Sequence, residues 1–401
     1  MKQFNEECKR IYVTPNGIGF GHVGRCIHIT RRLTEKIPSK ILFSTYLDGL
    51  KLLRREGFKV LEAPPLYFKT KPDGTVDVER TLLGPGLFAP LTVMEQIKIE
   101  MKYINMFKPD IVVSDSRATP IIAAKIMGIP SICILNQFQI IVPRERRFLR
   151  LSKLADAGIL AIMGRVWTLS NSIIIPDFPP PYTISLMNLR TPKRYRKRMK
   201  FVGPILPVRP EELSKQEELK EKLGFNPEEP LIFAPISGPV KERAYIIGVL
   251  RQYFKDLPEN YQIVMSLGYP NSPNRPLKNR RNLRLYWWIE NRFEYLKACD
   301  LIVSRAGHET IIQSLCYGKP MVLLPTPSHT EQCNNAKRVK EFEAGEVLDQ
   351  RYMTKEQFLK TVMKVLEEEE YKRKAEEISR FASKLNAIET IIEEIARLTS
   401  S

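Results

Sequence analysis

The sequence alternates short apolar runs with stretches of helical spacing along most of its length. The clearest unit covers 301–315, where an apolar run leads into a turn of small and polar residues at 304–310 and then into a helical pattern. Repetition of this strand–turn–helix unit predicts an α/β fold with parallel sheets. The first turn of such a helix has free backbone N–H groups and the positive end of the helix dipole, so it can bind a phosphate. Taken alone, the turn is also typical of an ordinary connection between a strand and a helix.

The composition indicates a globular protein that favours anionic partners. The 401 residues suffice for two or three domains, and the formal net charge is +18. The six cysteines are scattered without a C-x-x-C pair, which indicates reduced thiols in a cytoplasmic protein rather than a zinc or redox site. The start of the chain lacks the apolar core of a signal peptide, and the longest apolar stretch, 120–135, is interrupted by Lys125, Gly128 and Pro130. We therefore expect a soluble protein, or one peripheral at a membrane.

A glycine-rich loop follows the first predicted strand and contains His22. The loop covers 17–25 after a strand at 10–14, and a helical pattern follows it. No G-K-[ST] sequence completes a P-loop, and the pattern is not a clean G-x-G-x-x-G. A histidine at the carboxyl end of a first strand is well placed for function, although an isolated histidine is often structural.

Asp115 follows another predicted buried strand, at 110–114. The carboxyl ends of parallel strands meet at one edge of the sheet, so His22 and Asp115 can come together there. A carboxylate that accepts a hydrogen bond from one imidazole nitrogen fixes the tautomer and stabilises the protonated ring. The alternative is that Asp115 caps the helix predicted to start near Ala118.

Two kinds of surface indicate contact with lipid. The loop at 82–91 is apolar and rich in Gly and Pro, so it either meets an apolar acceptor or is buried under its own domain. Basic clusters lie at 190–200 and 144–150, and they favour an anionic membrane surface or simple solvation. We expect nucleic acid not to be a partner, because no nucleic-acid-binding module accompanies the clusters.

Three prolines at 204–210 predict a stiff linker between two domains. We therefore expect a first domain at 1–203, a linker at 204–210 and a second domain at 211–378, opening with a polar helix at 211–223. The final helix, 379–401, is expected to cross back to the first domain.

Polar and aromatic residues follow several strands of the second half. Trp287 and Trp288 directly follow a strand predicted at 282–286. At this position they either stack on a planar base or pack in the core. Glu331 and Gln332 open a later helix and offer donors and acceptors suited to sugar hydroxyls.

The order of these motifs between 286 and 348 resembles the donor half of GT-B nucleotide-sugar glycosyltransferases. The likeness is to families 1 and 28, which include UDP-glycosyltransferases and the bacterial enzyme that adds N-acetylglucosamine to a lipid-linked cell-wall precursor. It implies an α/β chain with two Rossmann-like parallel-sheet domains facing across a cleft, and with C-terminal helices packing back toward the first domain. The domain at 1–203 is then the acceptor-side domain, and the domain at 211–378 binds the donor nucleotide. It also implies inverting transfer of a hexose from a nucleotide sugar, most simply a UDP-sugar, to an acceptor hydroxyl that is lipid-linked or membrane-proximal.

The resemblance assigns roles to individual residues. His22 is expected to be the general base, oriented by Asp115. The donor-binding residues that it implies are Gly21, Ser237, Gly238, Arg243, Trp288, Ile289, Arg305, Ala306, Gly307, His308, Glu309, Thr310, Glu331 and Gln332. It implies no metal and no cofactor apart from the nucleotide-sugar co-substrate, and the sequence has no D-x-D motif. The leaving diphosphate is instead expected to be stabilised by amide donors, a helix end and arginine.

The chain departs from the family pattern in the phosphate turn. Plant and animal members have a histidine where this chain has Arg305, and His308 here follows the glycine. The donor therefore cannot be assigned by analogy. Two other functions stay open for such a chain: a sugar-nucleotide 2-epimerase of the same fold, and a non-catalytic nucleotide-sugar-binding protein.

Overall fold

The computed structural model describes residues 8–65, 89–138, 160–238, 240–269, 276–280, 282–327 and 329–400. The strands of this part are β1 Lys9–Pro15, β2 Ser39–Thr45, β3 Val60–Glu62, β4 Ile111–Asp115, β5 Ser131–Ile134, β6 Ser172–Ile175, β7 Met199–Phe201, β8 Leu231–Pro235, β9 Gln262–Ser266, β10 Pro276–Arg280, β11 Leu283–Tyr286, β12 Leu301–Ser304, β13 Met321–Leu323 and β14 Gly345–Val347. The helices are α1 Gly21–Lys36, α2 Leu47–Arg55, α3 Ala89–Phe107, α4 Ala118–Ile126, α5 Leu186–Leu189, α6 Lys193–Arg196, α7 Gln216–Lys222, α8 Val240–Tyr253, α9 Arg292–Ala298, α10 His308–Cys316, α11 Thr330–Glu341, α12 Lys355–Glu367, α13 Glu369–Ala382 and α14 Ala387–Thr399. A further helical segment lies at 160–167.

The first half of the chain forms a sheet of seven parallel strands in the order β3-β2-β1-β4-β5-β6-β7. Strand β1 lies in the middle of the sheet. Strands β2 and β3 extend the sheet to one edge, and β4 to β7 extend it to the other. The order therefore reverses between β1 and β4, where Pro15 lies opposite Asp115. In open α/β sheets, the crevice at such a reversal is where ligands bind.

The second half repeats this plan in the order β10-β11-β9-β8-β12-β13-β14. All neighbours are parallel except β10, an antiparallel edge strand on β11. Here the order reverses between β8 and β12. Strands β4 and β12 are buried along their whole length, because helices cover both faces of each sheet. The α/β fold with two parallel-sheet halves is thus confirmed.

Some local expectations are wrong. The helix expected at 211–223 is confined to Gln216–Lys222, because Pro210 starts a separate short 3₁₀ turn and Leu213 and Lys215 are extended. Strands β6 and β10 were not predicted. The first is only four residues long, and the second is an edge strand of mixed polarity.

The last two helices pack on different halves. Helix α13 buries Ala375 and Ile378 in the core of the second sheet, whereas α14 buries Ile391 and Ile395 in the core of the first. Of the C-terminal helices, α14 alone returns to the first half: it begins at Ala387, and residues 379–382 of the helix expected at 379–401 belong instead to α13 on the second half.

The first half also contributes to the second half, because a segment after β6 belongs to the core of the second sheet. Phe178 and Ile184 are buried there, and Tyr182 packs edge-on against the rings of Phe342 and Phe381. The two halves are therefore held together by segments that cross in both directions as well as by the linker.

The surfaces expected to meet lipid are described in part. The apolar loop at 82–91 lies outside the described residues up to 88, and the basic cluster at 144–150 lies outside them entirely. The cluster at 190–200 is described, and its cations Arg190, Lys193, Arg194, Arg196, Lys197, Arg198 and Lys200 are all exposed. None of the described helices is both long and apolar enough to cross a bilayer.

Candidate active site

The two reversal points of the sheets face each other, and a helix begins at each. Helix α1 starts at Gly21 after β1, and α10 starts at His308 after β12. A Cβ atom on Gly21 would lie 3.4 Å from the Cγ atom of Glu309, so the two helix N-termini meet closely across the cleft. Both ends carry the positive pole of a helix dipole, which favours an anion between them.

His22 and Asp115 come together as predicted. His22 Nδ1 lies 2.8 Å from Asp115 Oδ1, the imidazole is about one quarter exposed (24%), and the carboxylate is completely buried. Helix α4 begins at Ala118 without a side-chain cap. The alternative, that Asp115 caps this helix, is therefore wrong: its carboxylate faces α1.

Arg25 is the main partner of Asp115. Its Nη2 donates to Asp115 Oδ1 at 2.6 Å, and its Nε donates to Oδ2, so the guanidinium grips the carboxylate with two parallel hydrogen bonds. Arg25 Nη1 reaches across the cleft to Glu309 Oε1 at 3.2 Å. His22 and Arg25 are three residues apart on α1, so they share the face of the helix that covers Asp115.

The electrostatics of this cluster favour an ionised carboxylate. Burial would raise the pKa of Asp115, but the charges and hydrogen bonds of Arg25 and then of His22 hold the pKa well below its usual range. Burial raises the pKa of the neighbouring Cys26 thiol, which donates to Asp115 Oδ2 at 3.7 Å. Asp115 is therefore a fixed anion and Cys26 a neutral donor.

The turn after β12 contains a strained residue and leads into the N-terminus of a helix. Ala306 adopts φ +60°, in the left-handed region that a non-glycine residue rarely occupies, and such strain is concentrated at functional sites. Gly307 caps α10 without a side-chain hydrogen bond. The backbone N–H groups of the first turn, at His308, Glu309 and Thr310, precede the first intrahelical bond, which Ile311 makes to Gly307.

The loop at Ser237 and Gly238 is stabilised by two arginines, both of which were expected to bind the donor. Arg305 Nη1 donates to the Ser237 carbonyl at 3.1 Å, and its Nη2 donates to Thr326 Oγ1. Arg243 Nη1 donates to the Gly238 carbonyl at 3.0 Å, and its guanidinium stacks on Tyr269. Both guanidinium groups are almost fully buried. Their hydrogen bonds connect the loops after β8, β12 and β13 to one another.

Gly238 is required by this arrangement. Its φ is +110°, and a Cβ atom there would lie 2.5 Å from Arg305 Nη1. A side chain at this position would therefore strain the backbone and displace the guanidinium of Arg305.

The His308 side chain faces the domain interior. Its Nε2 lies 3.1 Å from Asp177 Oδ2, and both side chains are buried. Burial would lower the pKa of His308, but the carboxylate of Asp177 raises it above the ordinary value. Asp177 also accepts hydrogen bonds from the backbone of Phe178, Ile184 and Ser185. His308 thus connects the segment after β6 to the start of α10, and its backbone N–H group lies in the first turn of that helix.

The aromatic residues after β11 lie at the cleft and not in the core. Trp288 packs edge-on against Phe20 of the glycine-rich loop at 6.2 Å, and Trp287 packs against Tyr269 at 5.2 Å. The side chain of Ile289 is buried. The interpretation of the tryptophans as core residues is therefore wrong.

Glu331 and Gln332 occupy the first turn of α11 and are partly exposed. Gln332 Oε1 accepts a hydrogen bond from the backbone of Thr326 at 2.8 Å, which places this turn beside the loop that Arg305 holds. Glu331 and Gln332 thus lie beside the turn after β12, whereas Gly21, which was also expected to bind the donor, begins α1 in the first half.

Sequence reasoning missed two residues of the site. Arg25 was within the glycine-rich stretch without a role, although its spacing from His22 could have indicated a shared helix face. Asp177 gave no signal, because its partner His308 is distant in sequence.

The sequence comparisons identify relatives over most of the chain. Residues 241–395 match the family described as the glycosyltransferase family 28 C-terminal domain. A protein of Methanosarcina acetivorans named as an uncharacterized glycosyltransferase is 27% identical over 94% of both chains. The UDP-N-acetylglucosamine–N-acetylmuramyl-(pentapeptide) pyrophosphoryl-undecaprenol N-acetylglucosamine transferase of Lactobacillus helveticus is 26% identical over 97% of this chain and 100% of that protein.

Solved structures show the same fold. The calicheamicin glycosyltransferase CalG4 superposes with a TM-score of 0.68, covering 98% of each chain at 16% sequence identity. The two-sheet architecture is thus that of the GT-B glycosyltransferases.

The Asp115 cluster makes a prediction about acid stability. In D115N, Arg25 stays buried without its carboxylate, so we expect a loss of about 3–5 kcal/mol of unfolding free energy near neutral pH. Ionised Asp115 stabilises the fold fully above its unfolded pKa of about 4, and this stabilisation is lost as the pH falls below that value. Urea unfolding of the two proteins between pH 7 and pH 3 should show the difference shrinking.

D110N is the matched control, because Asp110 precedes the same strand and its carboxylate accepts an exposed hydrogen bond from the backbone of Arg10. It should cost less than about 1.5 kcal/mol. A difference between D115N and the unaltered protein that stays constant with pH would contradict the proposed state of Asp115.

Proposed function

We propose, from the premise that this chain is a GT-B glycosyltransferase with a family 28 C-terminal domain, that it transfers a hexose from a UDP-sugar to an acceptor hydroxyl with inversion. The observation that carries the proposal is the His22–Asp115 pair, which faces the strained turn at the start of α10 across the cleft. A base lies on one side, and an anion-binding helix end lies on the other.

The second half supplies the donor site. The diphosphate binds the first backbone N–H groups of α10 and the loop at Gly238, which Arg243 and Arg305 hold in place. Trp288 and the backbone at Ile289 take the base, and Glu331 and Gln332 take the sugar or ribose hydroxyls. In this proposal amide donors and the helix dipole stabilise the leaving group, and transfer needs no metal.

The first half supplies the base. Nδ1–H of His22 donates to Asp115, so Nε2 carries the lone pair that accepts the acceptor proton. The acceptor oxygen bonds to the anomeric carbon from the face opposite the diphosphate while the bond to the diphosphate oxygen breaks. The proton remains on His22, the diphosphate leaves as the nucleotide, and the anomeric configuration is inverted.

A lipid-linked acceptor fits the surface of the first half. The exposed cations at 190–200 adjoin exposed Leu186 and Met187, and among the described residues only Lys200 of this group has a carboxylate partner. The name of the Lactobacillus helveticus relative includes a pyrophosphoryl-undecaprenol acceptor. We therefore propose that the protein acts at an anionic membrane surface.

The donor site is tested by thermal shift with nucleoside diphosphates and UDP-sugars. A ligand at one hundred times its Kd stabilises the protein by about 2.7 kcal/mol. We expect UDP to raise the Tm of the unaltered protein and not that of G238A, because a Cβ displaces Arg305 and distorts the loop. G248A is the control, since Gly248 lies within α8 with open space around it. The absence of a shift with every nucleotide would argue against the donor site.

The base is tested with H22A in the presence of EDTA. Donor affinity should be retained, while nucleotide release from the active UDP-sugar in the presence of acceptor should fall by about 10²-fold or more. Unchanged turnover excludes His22 as the base. Release of a free epimerised sugar, instead of a glycoside, would identify an epimerase.

Membrane association is tested by flotation with vesicles containing anionic phosphatidylglycerol. Each cation near such a surface contributes about 1 kcal/mol, so R190Q/K193Q/K197Q should weaken binding by about two orders of magnitude. The control K215Q/K360Q/K372Q removes the same charge from exposed positions of the second half. Equal loss in both variants would mean that net charge, and not this surface, attracts the vesicles.

A further inference from the structure

Asn16 lies directly after β1, beside the aspartate that binds the candidate base. Its backbone N–H group donates to the Asp115 carbonyl at 3.0 Å, one residue beyond the last pair of β1 and β4. The loop that begins at Asn16 reaches the second half at Phe20, which packs against Trp288. Asn16 is partly exposed. It is therefore a polar residue of the first half at the cleft, close to where an acceptor hydroxyl would meet His22.

The orientation of the Asn16 amide is fixed by its neighbours. Its Oδ1 accepts the backbone N–H of Ile18 at 3.0 Å and the hydroxyl of Tyr46 at 3.3 Å. A backbone N–H group can only donate, so the atom that faces Ile18 must be the oxygen. Nδ2 is on the other branch of the amide, and within the described part of the chain it has no hydrogen-bond partner. Asn16 therefore has two N–H donors available to a ligand.

Tyr46, which orients this amide, is held rigidly. Its ring is buried, and the guanidinium of Arg117 stacks on it with Cζ 5.3 Å from the ring centroid. Arg117 is also buried, and it donates to Glu100 Oε1 at 2.5 Å and to the Ser44 carbonyl at 2.9 Å. The buried network fixes the phenol, and the phenol helps to fix the amide. Nδ2 is thus presented in one orientation, as a binding group requires.

Two exposed apolar side chains adjoin the amide. Ile18 belongs to the same turn, and Leu47 directly follows Tyr46. Leu47 has φ +52°, a conformation that residues other than glycine rarely adopt and that is concentrated at functional sites. The two loops are joined by a hydrogen bond from Gly49 N–H to the Gly17 carbonyl at 3.1 Å. A donor beside apolar side chains suits a ligand in which an oxygen adjoins C–H groups, as in a glycoside.

We propose that Asn16 determines acceptor specificity, because its Nδ2 donates to an oxygen on the carbon next to the hydroxyl that reacts. The acceptor is then a glycoside or a similar compound with vicinal oxygens, and not a simple alcohol. Asp115 connects the two contacts, since its carboxylate binds His22 and its carbonyl binds the backbone of Asn16. Two contacts on neighbouring oxygens fix which hydroxyl faces the donor. This inference rests on the proposed function.

The test compares transfer to octyl β-D-glucoside, which has vicinal hydroxyls, with transfer to 1-octanol, which has the same alkyl chain and one oxygen. Nucleotide release from the active UDP-sugar is measured with each compound and with neither. The unaltered protein should prefer the glucoside. N16D keeps an oxygen for Ile18 and Tyr46 but replaces the N–H donors by an acceptor, so the KM for the glucoside should rise about tenfold or more. Release without an acceptor should not change.

N16S separates the lost donor from the charge that N16D adds. Serine can retain the turn but has neither an amide nor a charge, so the KM should rise by about fivefold. N171D is the matched control, because Asn171 Oδ1 also accepts a backbone N–H, from Ser131 at 2.9 Å, at the opposite edge of the same sheet. The KM of N171D should equal that of the unaltered protein.

Y46F distinguishes binding by Asn16 from a purely structural role. It removes the hydroxyl that helps to orient the amide and keeps Nδ2, whereas N16D keeps the oxygen and removes Nδ2. We expect N16D to raise the KM for the glucoside more than Y46F does. The opposite order, or an unchanged KM in N16D, overturns the inference, and so does equal use of 1-octanol and octyl glucoside by the unaltered protein.

A second measurement does not depend on turnover. The side-chain amide signal of Asn16 in a ¹H–¹⁵N spectrum is identified by its loss in N16D and N16S. Octyl glucoside below its micelle concentration should shift this signal in the presence of UDP, and an unmoved signal rejects the role of Asn16. The proposed function is judged separately by the UDP thermal shift and by H22A. A thermal shift with UDP together with an unmoved Asn16 signal would uphold the donor site and reject this inference alone.

Discussion

The buried carboxylate of Asp115 is the constraint around which the first half is arranged. A fully buried anion is tolerated only when it is paired and hydrogen-bonded, and here all its partners come from one helix. His22, Arg25 and Cys26 occupy positions i, i+3 and i+4 of α1, so the first turns of that helix must lie over the end of β4. The glycine-rich loop makes this approach feasible, since a Cβ atom at Gly17 would lie 1.9 Å from the Tyr46 carbonyl. The position of the candidate base follows from the need to neutralise Asp115.

The second half contains buried cations, whose charge must also be stabilised by hydrogen bonds. Arg243 and Arg305 are buried, and described hydrogen bonds of these two side chains go to loop carbonyls and to a threonine hydroxyl. The Ser237 carbonyl oxygen is directed at Arg305, so the N–H group of Gly238, on the opposite side of the same peptide, is turned away from that guanidinium. Such a loop is held open by side chains that need not touch the ligand. This accounts for the presence of arginine in the phosphate turn, where the family likeness implied direct contact with a diphosphate.

What the sequence could predict depends on how far apart the interacting residues are. Strand ends are local features, and the carboxyl ends of parallel strands lie together, so the meeting of His22 and Asp115 could be predicted from two short patterns. The salt bridge between Arg25 and Glu309 joins residues that are 284 positions apart and lie in different halves. No local sequence pattern predicts such a contact. The same holds for His308 and Asp177. A histidine next to a phosphate turn resembled a ligand-binding side chain, yet tertiary packing used it to fasten a crossing segment.

The crossing segments define how the halves can move. Helix α14 is fixed to the first half by its apolar face and by ion pairs from Lys36 and Lys200 to Glu389 and Glu394, while the segment after β6 is fixed to the second half through Asp177. Motion of one half over the other must therefore bend the chain on both sides of the segment after β6, near Gly203, which has φ +89°, and before Ala387. These bends are remote in sequence from Arg25 and Glu309, whose salt bridge spans the cleft itself. Opening the cleft would break this pair while leaving Arg25 on Asp115, because the two bonds to Asp115 lie within one half and the bond to Glu309 does not.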